Sequence, residues 1–264
     1  MNKLSPNFLP AYSSNHVHPK DIKQMHLSGF IITCCTLLLL TLSLPVKVCH
    51  GAELSQVIAT LEEGYGRLSD LQAEFNQITT IAAIKREEKG AGELFLKKPQ
   101  GSPPMFRFNY TRPKQQIISN GKKIWYYLPE NKQVLITDMA ALIEGGGGAA
   151  LSYLTGMGHI TKDFTVGFAG NGRDKKGNYL LELIPRKPNQ AMAKLRLTIA
   201  ATSVERFIES HQAADPFPIT TSVVTDQSGN NTTIEFSKLR VNRGIGSERF
   251  TFKVPTGVEI INPR

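Results

Sequence analysis

Beyond residue 52 the chain contains no cysteine; Cys34, Cys35 and Cys49 all precede that point. Neither a disulfide nor thiolate chemistry is therefore expected in the body of the protein. Histidine is nearly as scarce. His16, His18, His26 and His50 lie in the same leading stretch, and only His159 and His211 follow it. Neither has a second His, Cys or carboxylate at ligand spacing, so no metal site is expected. There is no G-x-S-x-G elbow, no H-E-x-x-H and no phosphate-binding loop with its Lys. Gly167, Gly170 and Gly172 imitate a dinucleotide fingerprint, but they are expected to join two strands, whereas such a site opens a helix. The pairs Glu62-Glu63 and Glu87-Glu88 fall on polar faces, where solvation accounts for them. The expectation is a protein without a cofactor that is not an enzyme.

Long apolar runs are lacking too, with one exception at Gly29–Val46. Lys20 and Lys23 precede it and Gly51-Ala52 follow it, the order of a secretory signal peptide. Thr33, Thr36, Thr41 and Ser43 interrupt the run, and it falls short of the ~20 apolar residues of a spanning helix. Residues 1–52 are expected to be removed near Ala52, with Met25 as a possible true start, leaving one domain over 53–264. Val46-Lys47-Val48 is the wrong lead-in for a lipidated Cys49, so the mature protein is expected to be soluble and periplasmic. The chain carries a formal charge of +9. Four lysines against Asp21 lie before residue 53, so six of the nine excess charges remain in the domain. The cations are scattered among acids, and secretion argues against a nucleic-acid partner.

What is present is a helix followed by strands. Val57, Ile58, Leu61, Tyr65, Leu68, Leu71 and Phe75 keep the spacing of one helical face, predicting an amphipathic helix over 55–72. Thereafter the period is two. Strands are expected at 92–96, 105–110, 116–119, 122–128 and 133–137, with Asn120-Gly121 as a two-residue hairpin turn in which both positions need φ > 0. Met139, Leu142, Ile143, Leu151 and Leu154 suggest a second helical stretch, broken by the glycines 145–148. Further strands are expected at 162–168, 178–184, 194–200, 203–209, 219–225, 232–241, 249–255 and 257–261. The sum is a mainly β fold: a curved antiparallel sheet with helices on one face.

Phe95, Phe106, Phe108, Trp125, Tyr127, Leu135, Phe236, Phe250 and Phe252 are expected to alternate toward one side of their strands. Composition alone favours an ordinary core over a lipid cavity, because apolar interiors are universal and lipid cavities rare.

A resemblance tips that balance. Leu71–Gln77, Gly90–Pro99, Phe106–Tyr110 with Thr111–Pro113, Ser119–Tyr127 and Phe250–Val258 occur in the order of the LolA family, the periplasmic outer-membrane lipoprotein carriers. The Gly121-Lys122 to Trp125 and Tyr127 hairpin and the Pro255 to Gly257-Val258 ending are its specific parts, and the likeness spans most of 53–264. It implies an incomplete antiparallel barrel whose apolar face, under helices, binds lipoprotein acyl chains. By position Phe106, Phe108 and Trp125 fall where the family places cavity aromatics, and residues 139–156 correspond to lid structure. Met105, Met139 and Met157 would suit variable cargo. The implied partners are acylated lipoproteins, an inner-membrane ABC-type release complex and an outer-membrane receptor, with a monomeric carrier between them. Lys98 stands where the family has an Arg that holds the lid through backbone carbonyls, and a Lys ammonium lacks the planar fork of that Arg. Gln100–Pro104 looks like an insertion. A lipid-sensing domain, or a carrier of another lipid on the same fold, remains open at this point.

Overall fold

The computed structural model describes residues 52–144, 159–187, 191–210 and 212–261. Residues 52–264 form one compact unit, and 1–51, read above as a signal peptide, lie outside the described residues. Among the described residues no helix is long and apolar enough to cross a membrane.

The unit is one 12-stranded sheet, in the spatial order β12-β6-β5-β4-β3-β2-β1-β11-β10-β9-β8-β7. The strands are β1 Asp70–Ile81, β2 Arg86–Lys97, β3 Met105–Arg112, β4 Gln115–Ser119, β5 Lys123–Leu128, β6 Gln133–Asp138, β7 Phe164–Arg173, β8 Tyr179–Pro185, β9 Lys194–Ile199, β10 Ile219–Thr225, β11 Asn231–Val241 and β12 Glu259–Ile261. Every pairing is antiparallel except β12 on β6. The sheet ends in two free edges, so it is mainly β as expected but open rather than closed into a barrel. Among the described residues four helices accompany it: α1 Leu54–Gly66, α2 Met139–Glu144, α3 Ile160–Asp163 and α4 Ala201–Glu209.

Three expectations are corrected. The first helix stops at Gly66, and Leu71 and Phe75 belong to β1. Their spacing of four satisfies a helix and a strand alike, and the inward run Leu71, Ala73, Phe75 with Glu74 exposed is a strand pattern. Residues 203–209 are helical, because Val204, Phe207 and Ile208 at i, i+3 and i+4 make one face that buries Val204. The 249–255 stretch has strand-like alternation but no ladder; it follows a 3-10 turn at Ser247–Phe250 as an extended strap.

The β4–β5 turn also differs in detail. Gly121 has φ of 87° while Asn120 is not left-handed. The Asn120 side-chain oxygen instead accepts the Lys122 and Lys123 N–H groups at 3.0 and 2.9 Å, closing a longer turn.

Pairing register fixes which residues share a face, since directly opposed residues point the same way. Leu96, Phe106 and Ser119 are successive partners, as are Leu94, Phe108, Ile117, Tyr126 and Leu135. This inner face carries the main core, joined by Val57, Leu61 and Tyr65 of α1 and Val204 of α4. The opposite, outer face buries Phe95, Ile118 and Val134, and Phe250 of the strap is itself fully buried.

Candidate functional site

The inner face of β1–β3 is an aromatic band without charge. Phe75 meets Phe108 edge-on at 5.6 Å and Tyr110 at 4.9 Å, and Phe106 meets Phe108 at 6.1 Å. Gly92 lies between Phe75 and Tyr110 in the ladder, and a Cβ there would stand 2.0 Å from the Asn109 carbonyl oxygen. Its bare backbone lets the two rings reach across β2. Inward positions from Leu71 to Gln77, Gly92 to Leu96 and Phe106 to Tyr110 hold no ionised side chain. Tyr110 donates to the Gln77 side-chain oxygen at 2.8 Å, and burial, then repulsion from Tyr126, pushes its phenol up to about 12. The face continues through Ile117, Tyr126 and Leu135, which are only half-buried.

Helices cover the band. Val57 and Leu61 of α1 are fully buried in the same core as Phe106, which is 0% exposed. The cover is fastened by few polar ties. The Lys98 ammonium donates to the Tyr65 carbonyl at 2.6 Å, and the Asn242 amide to the Arg67 carbonyl at 2.9 Å. Burial pulls the Lys98 pKa down, while its bond to the carbonyl end of a helix is the favourable geometry for a cation. At the other end the Ala52 N–H donates to the Tyr179 hydroxyl at 2.8 Å. Gly64 packs so tightly on the Asp215 carbonyl that a Cβ would sit 2.2 Å from its oxygen. Glu62, expected to be merely solvated, accepts the Thr161 N–H and hydroxyl at 3.2 and 3.1 Å and caps α3. An open cleft of about 780 Å³ runs between α1 and α4, but Glu63, Arg67 and Gln212 line it on the outward side, away from the aromatic band.

The expected cavity residues divide between the two faces. Phe106, Phe108 and Phe236 are in the inner core, and Leu135 is on the same face. Phe95, Trp125, Tyr127 and Phe250 are on the outer face. Phe95 pairs with Arg107 and lies under the Arg249 guanidinium at 4.5 Å; Trp125 and Tyr127 approach Phe252 of the strap at 6.3 and 5.3 Å. Apolar residues on both faces of β2 and β5 hid this division. Lys98 fastens the end of α1, and most of the mid-chain stretch it was expected to hold lies outside the described residues. Met139 is buried in the core, and Leu142 and Ile143 lie on α2 with side chains outside the described residues. Leu151, Leu154, Met157 and the glycines 145–148 are also outside the described residues. Phe75, Tyr110, Ile117 and Tyr126 share the inner face but are not among the expected cavity residues; once Leu71–Phe75 is read with period two, Phe75 follows.

Residues 67–253 match the family described as outer membrane lipoprotein carrier protein LolA. The chain belongs to the LolA family. An outer-membrane lipoprotein carrier protein of Pseudomonas paraeruginosa is 26% identical over 229 residues, covering 86% of this chain and 97% of that one. One from Chromobacterium violaceum is 27% identical over 209 residues, covering 79% and 88%. Among solved structures, a LolA superfamily protein from Nitrosomonas europaea is 13% identical, covers 76% of this chain and 98% of its own, and has a TM-score of 0.39. LolA proteins are carriers, so a binding role is what the family supplies, and the uncharged inner face is suited to binding.

Proposed function

We propose that this protein works in the periplasm, after loss of a signal peptide ending near Ala52, as a monomeric carrier of acylated lipoproteins. It takes them from an inner-membrane ABC-type release complex and yields them to an outer-membrane receptor. The acyl chains occupy the inner face along Phe75, Phe106, Phe108, Tyr110 and Leu135. The observation that carries the reading is an aromatic band free of charge under helices held by few polar ties. The family's carrier names support it.

The physical task is large. Three chains of ~16 carbons, at ~0.8 kcal/mol per buried CH₂, would cost tens of kcal/mol to expose to water. A carrier must match that apolar area and still let go. Since Phe106 is fully covered here, α1 and α4 move aside when cargo enters.

The test is release from spheroplasts making a triacylated lipoprotein. Purified protein beginning at Ala52 should bring the lipoprotein into the supernatant as a soluble one-to-one complex. Phe108→Asp should abolish release, whereas Tyr127→Ser, altering a half-buried ring on the outer face, should retain most of it. No release, where an authenticated carrier works on the same membranes, would refute lipoprotein carriage. Equal loss in both folded variants would remove the inner face as the site.

A further inference from the structure

The β1–β2 hairpin runs beyond β3, its neighbour on one side. Pairing of β2 with β3 ends at Ala91–Arg112, so Arg86–Gly90 have no β3 partner. At ~3.3 Å per residue the hairpin projects roughly 16 Å past that neighbour. Its other side is braced, because β11 pairs up to Thr80–Asn231 and the Asn230 side chain accepts the Ala82 N–H at 2.9 Å. A supported, protruding tip is therefore built from Ile81, Ala82, Ala83 and Ile84, with Lys85 left-handed at φ 51° to close it. Such a tip would ordinarily be polar. Here Ile84 is 62% exposed, the most exposed large aliphatic among the described residues, and Ala82 and Ala83 are exposed beside it.

Cations surround this tip. Lys85, Arg86 and Lys89 are on the hairpin, and Arg112 and Lys114 belong to the end of neighbouring β3 and the turn after it; all are exposed. These five outnumber the hairpin's own Glu87 and Glu88, and Glu88 is paired with Arg86 at 3.0 Å. Asp226 in the adjoining turn is directed into its own loop, accepting the Ser228 and Asn230 N–H groups at 2.8 and 2.9 Å.

We propose that this hairpin tip is a membrane-docking wedge: Ile84 and its alanines enter the interface of an anionic bilayer while Lys85, Arg86 and Lys89 meet lipid phosphates. A protein partner is the poorer fit. Four short side chains at a protruding point offer far less than the ~1,000 Å² a stable protein interface buries. A few aliphatic side chains ringed by cations are what an anionic interface accepts. The wedge is a separate site from the aromatic band and stands whether or not the cargo is a lipoprotein.

The absence of cysteine after residue 52 makes the test direct. Residues 52–264 form one compact unit, so the chain from Ala52 is the species to use. Ile84→Cys carrying an environment-sensitive dye is mixed with vesicles of phosphatidylethanolamine and phosphatidylglycerol, roughly 3:1, or with phosphatidylcholine alone. Lys176→Cys, in the β7–β8 turn at the opposite end of the sheet, is the control. The dye at 84 should brighten severalfold and shift to the blue with the anionic vesicles only, and the dye at 176 should not respond. Ile84→Asp, and Lys85→Glu with Arg86→Glu, should each weaken co-flotation about tenfold, and roughly 0.5 M salt should abolish it. Phe108→Asp should leave the signal at 84 intact. A silent dye at 84, equal responses at both ends, or undiminished binding by a folded Ile84→Asp protein would each overturn the proposal. So would a signal at 84 raised only by a soluble protein.

Discussion

Asp70 opens β1 and is 3% exposed, and its carboxylate is where the outer strap is fastened. Its two oxygens accept the Arg243 and Gly244 N–H groups at 2.8 and 2.9 Å, just where the chain leaves β11 to cross the outer face. Beside it the Asn242 side-chain oxygen accepts the Ser69 N–H at 2.9 Å, and the Asn242 N–H donates to the Asp70 carbonyl at 2.9 Å. Asp70→Ala strips two part-buried donors of their charged acceptor. A hydrogen bond to a charged group contributes about 1.5–3 kcal/mol, but the donors regain some water if the strap loosens, so the expected loss is about 2–4 kcal/mol. For a domain of this size that corresponds to a fall in Tm of roughly 5–15 °C. Asp70→Asn keeps one acceptor and should fall between. Trp125 is the only tryptophan and it faces Phe252 of the strap, so its emission reports the latch selectively. Urea unfolding followed by circular dichroism should show the lower midpoint. Trp125 emission should redden and proteolysis near Lys253 should quicken below that midpoint. Glu74→Ala, breaking an exposed pair with Lys238, serves as control and should change stability by less than about 1 kcal/mol. If Asp70→Ala costs no more than the control and leaves Trp125 emission unchanged, the carboxylate does not hold the strap.

Gly92→Ala would drive a methyl into the Asn109 carbonyl and part the Phe75–Tyr110 contact; a loss of at least about 2 kcal/mol is expected by denaturant titration, and a neutral result would refute that packing. The Tyr110 phenol is raised in the folded state, so the folded protein holds its proton more tightly. The resulting stability is complete below the ordinary tyrosine pKa near 10 and is lost as pH rises toward about 12. Tyr110→Phe should flatten the alkaline loss of stability, measured as Tm between about pH 9 and 12. Lys98→Ala should free the end of α1, costing about 1 kcal/mol for a partly exposed charge-assisted bond, and hydrogen exchange should accelerate at Tyr65–Leu68 while β8 and β9 are unaffected.

The parts of the fold legible in the sequence are those where one face is apolar and the other wet. Phe106, Phe108 and Tyr110 alternate with Arg107 and Asn109, and both their strand and their face were readable. Ile124-Trp125-Tyr126-Tyr127 is apolar throughout, because Ile124 and Tyr126 face the helices while Trp125 and Tyr127 face a strap more than a hundred residues away. No local period can distinguish two covered faces from one. The same holds for Leu94-Phe95-Leu96. The strap itself misled for the converse reason: Phe250 and Phe252 give it the rhythm of a strand, yet it lies across the sheet, and only β12 adds to the edge. The Lys98 tie depends on Tyr65, thirty-three positions earlier, and becomes visible only when β2 and α1 are brought together.

On the proposed carrier reading, the balance between cover and cargo orders the states of the protein. Lifting α1 uncovers Val57, Leu61 and Tyr65, at about 1.5–3 kcal/mol for each side chain. The same motion would free Phe106 and Phe108, and the polar ties at Lys98, Asn242, Tyr179 and Thr161 add a few kcal/mol more. The total is on the order of 10 kcal/mol, which keeps the empty face shut and out of contact with other apolar surfaces. One acyl chain of ~16 carbons brings about 13 kcal/mol of apolar burial, enough to displace the cover, and further chains would hold it open. Loading by such a mechanism is governed by chain number and length, whatever protein the lipid is attached to. Release then needs no chemistry in the carrier. It needs an acceptor that offers the chains an equally apolar home, whereupon α1 closes again over Phe106 and favours the transfer by roughly the energy that opening had cost.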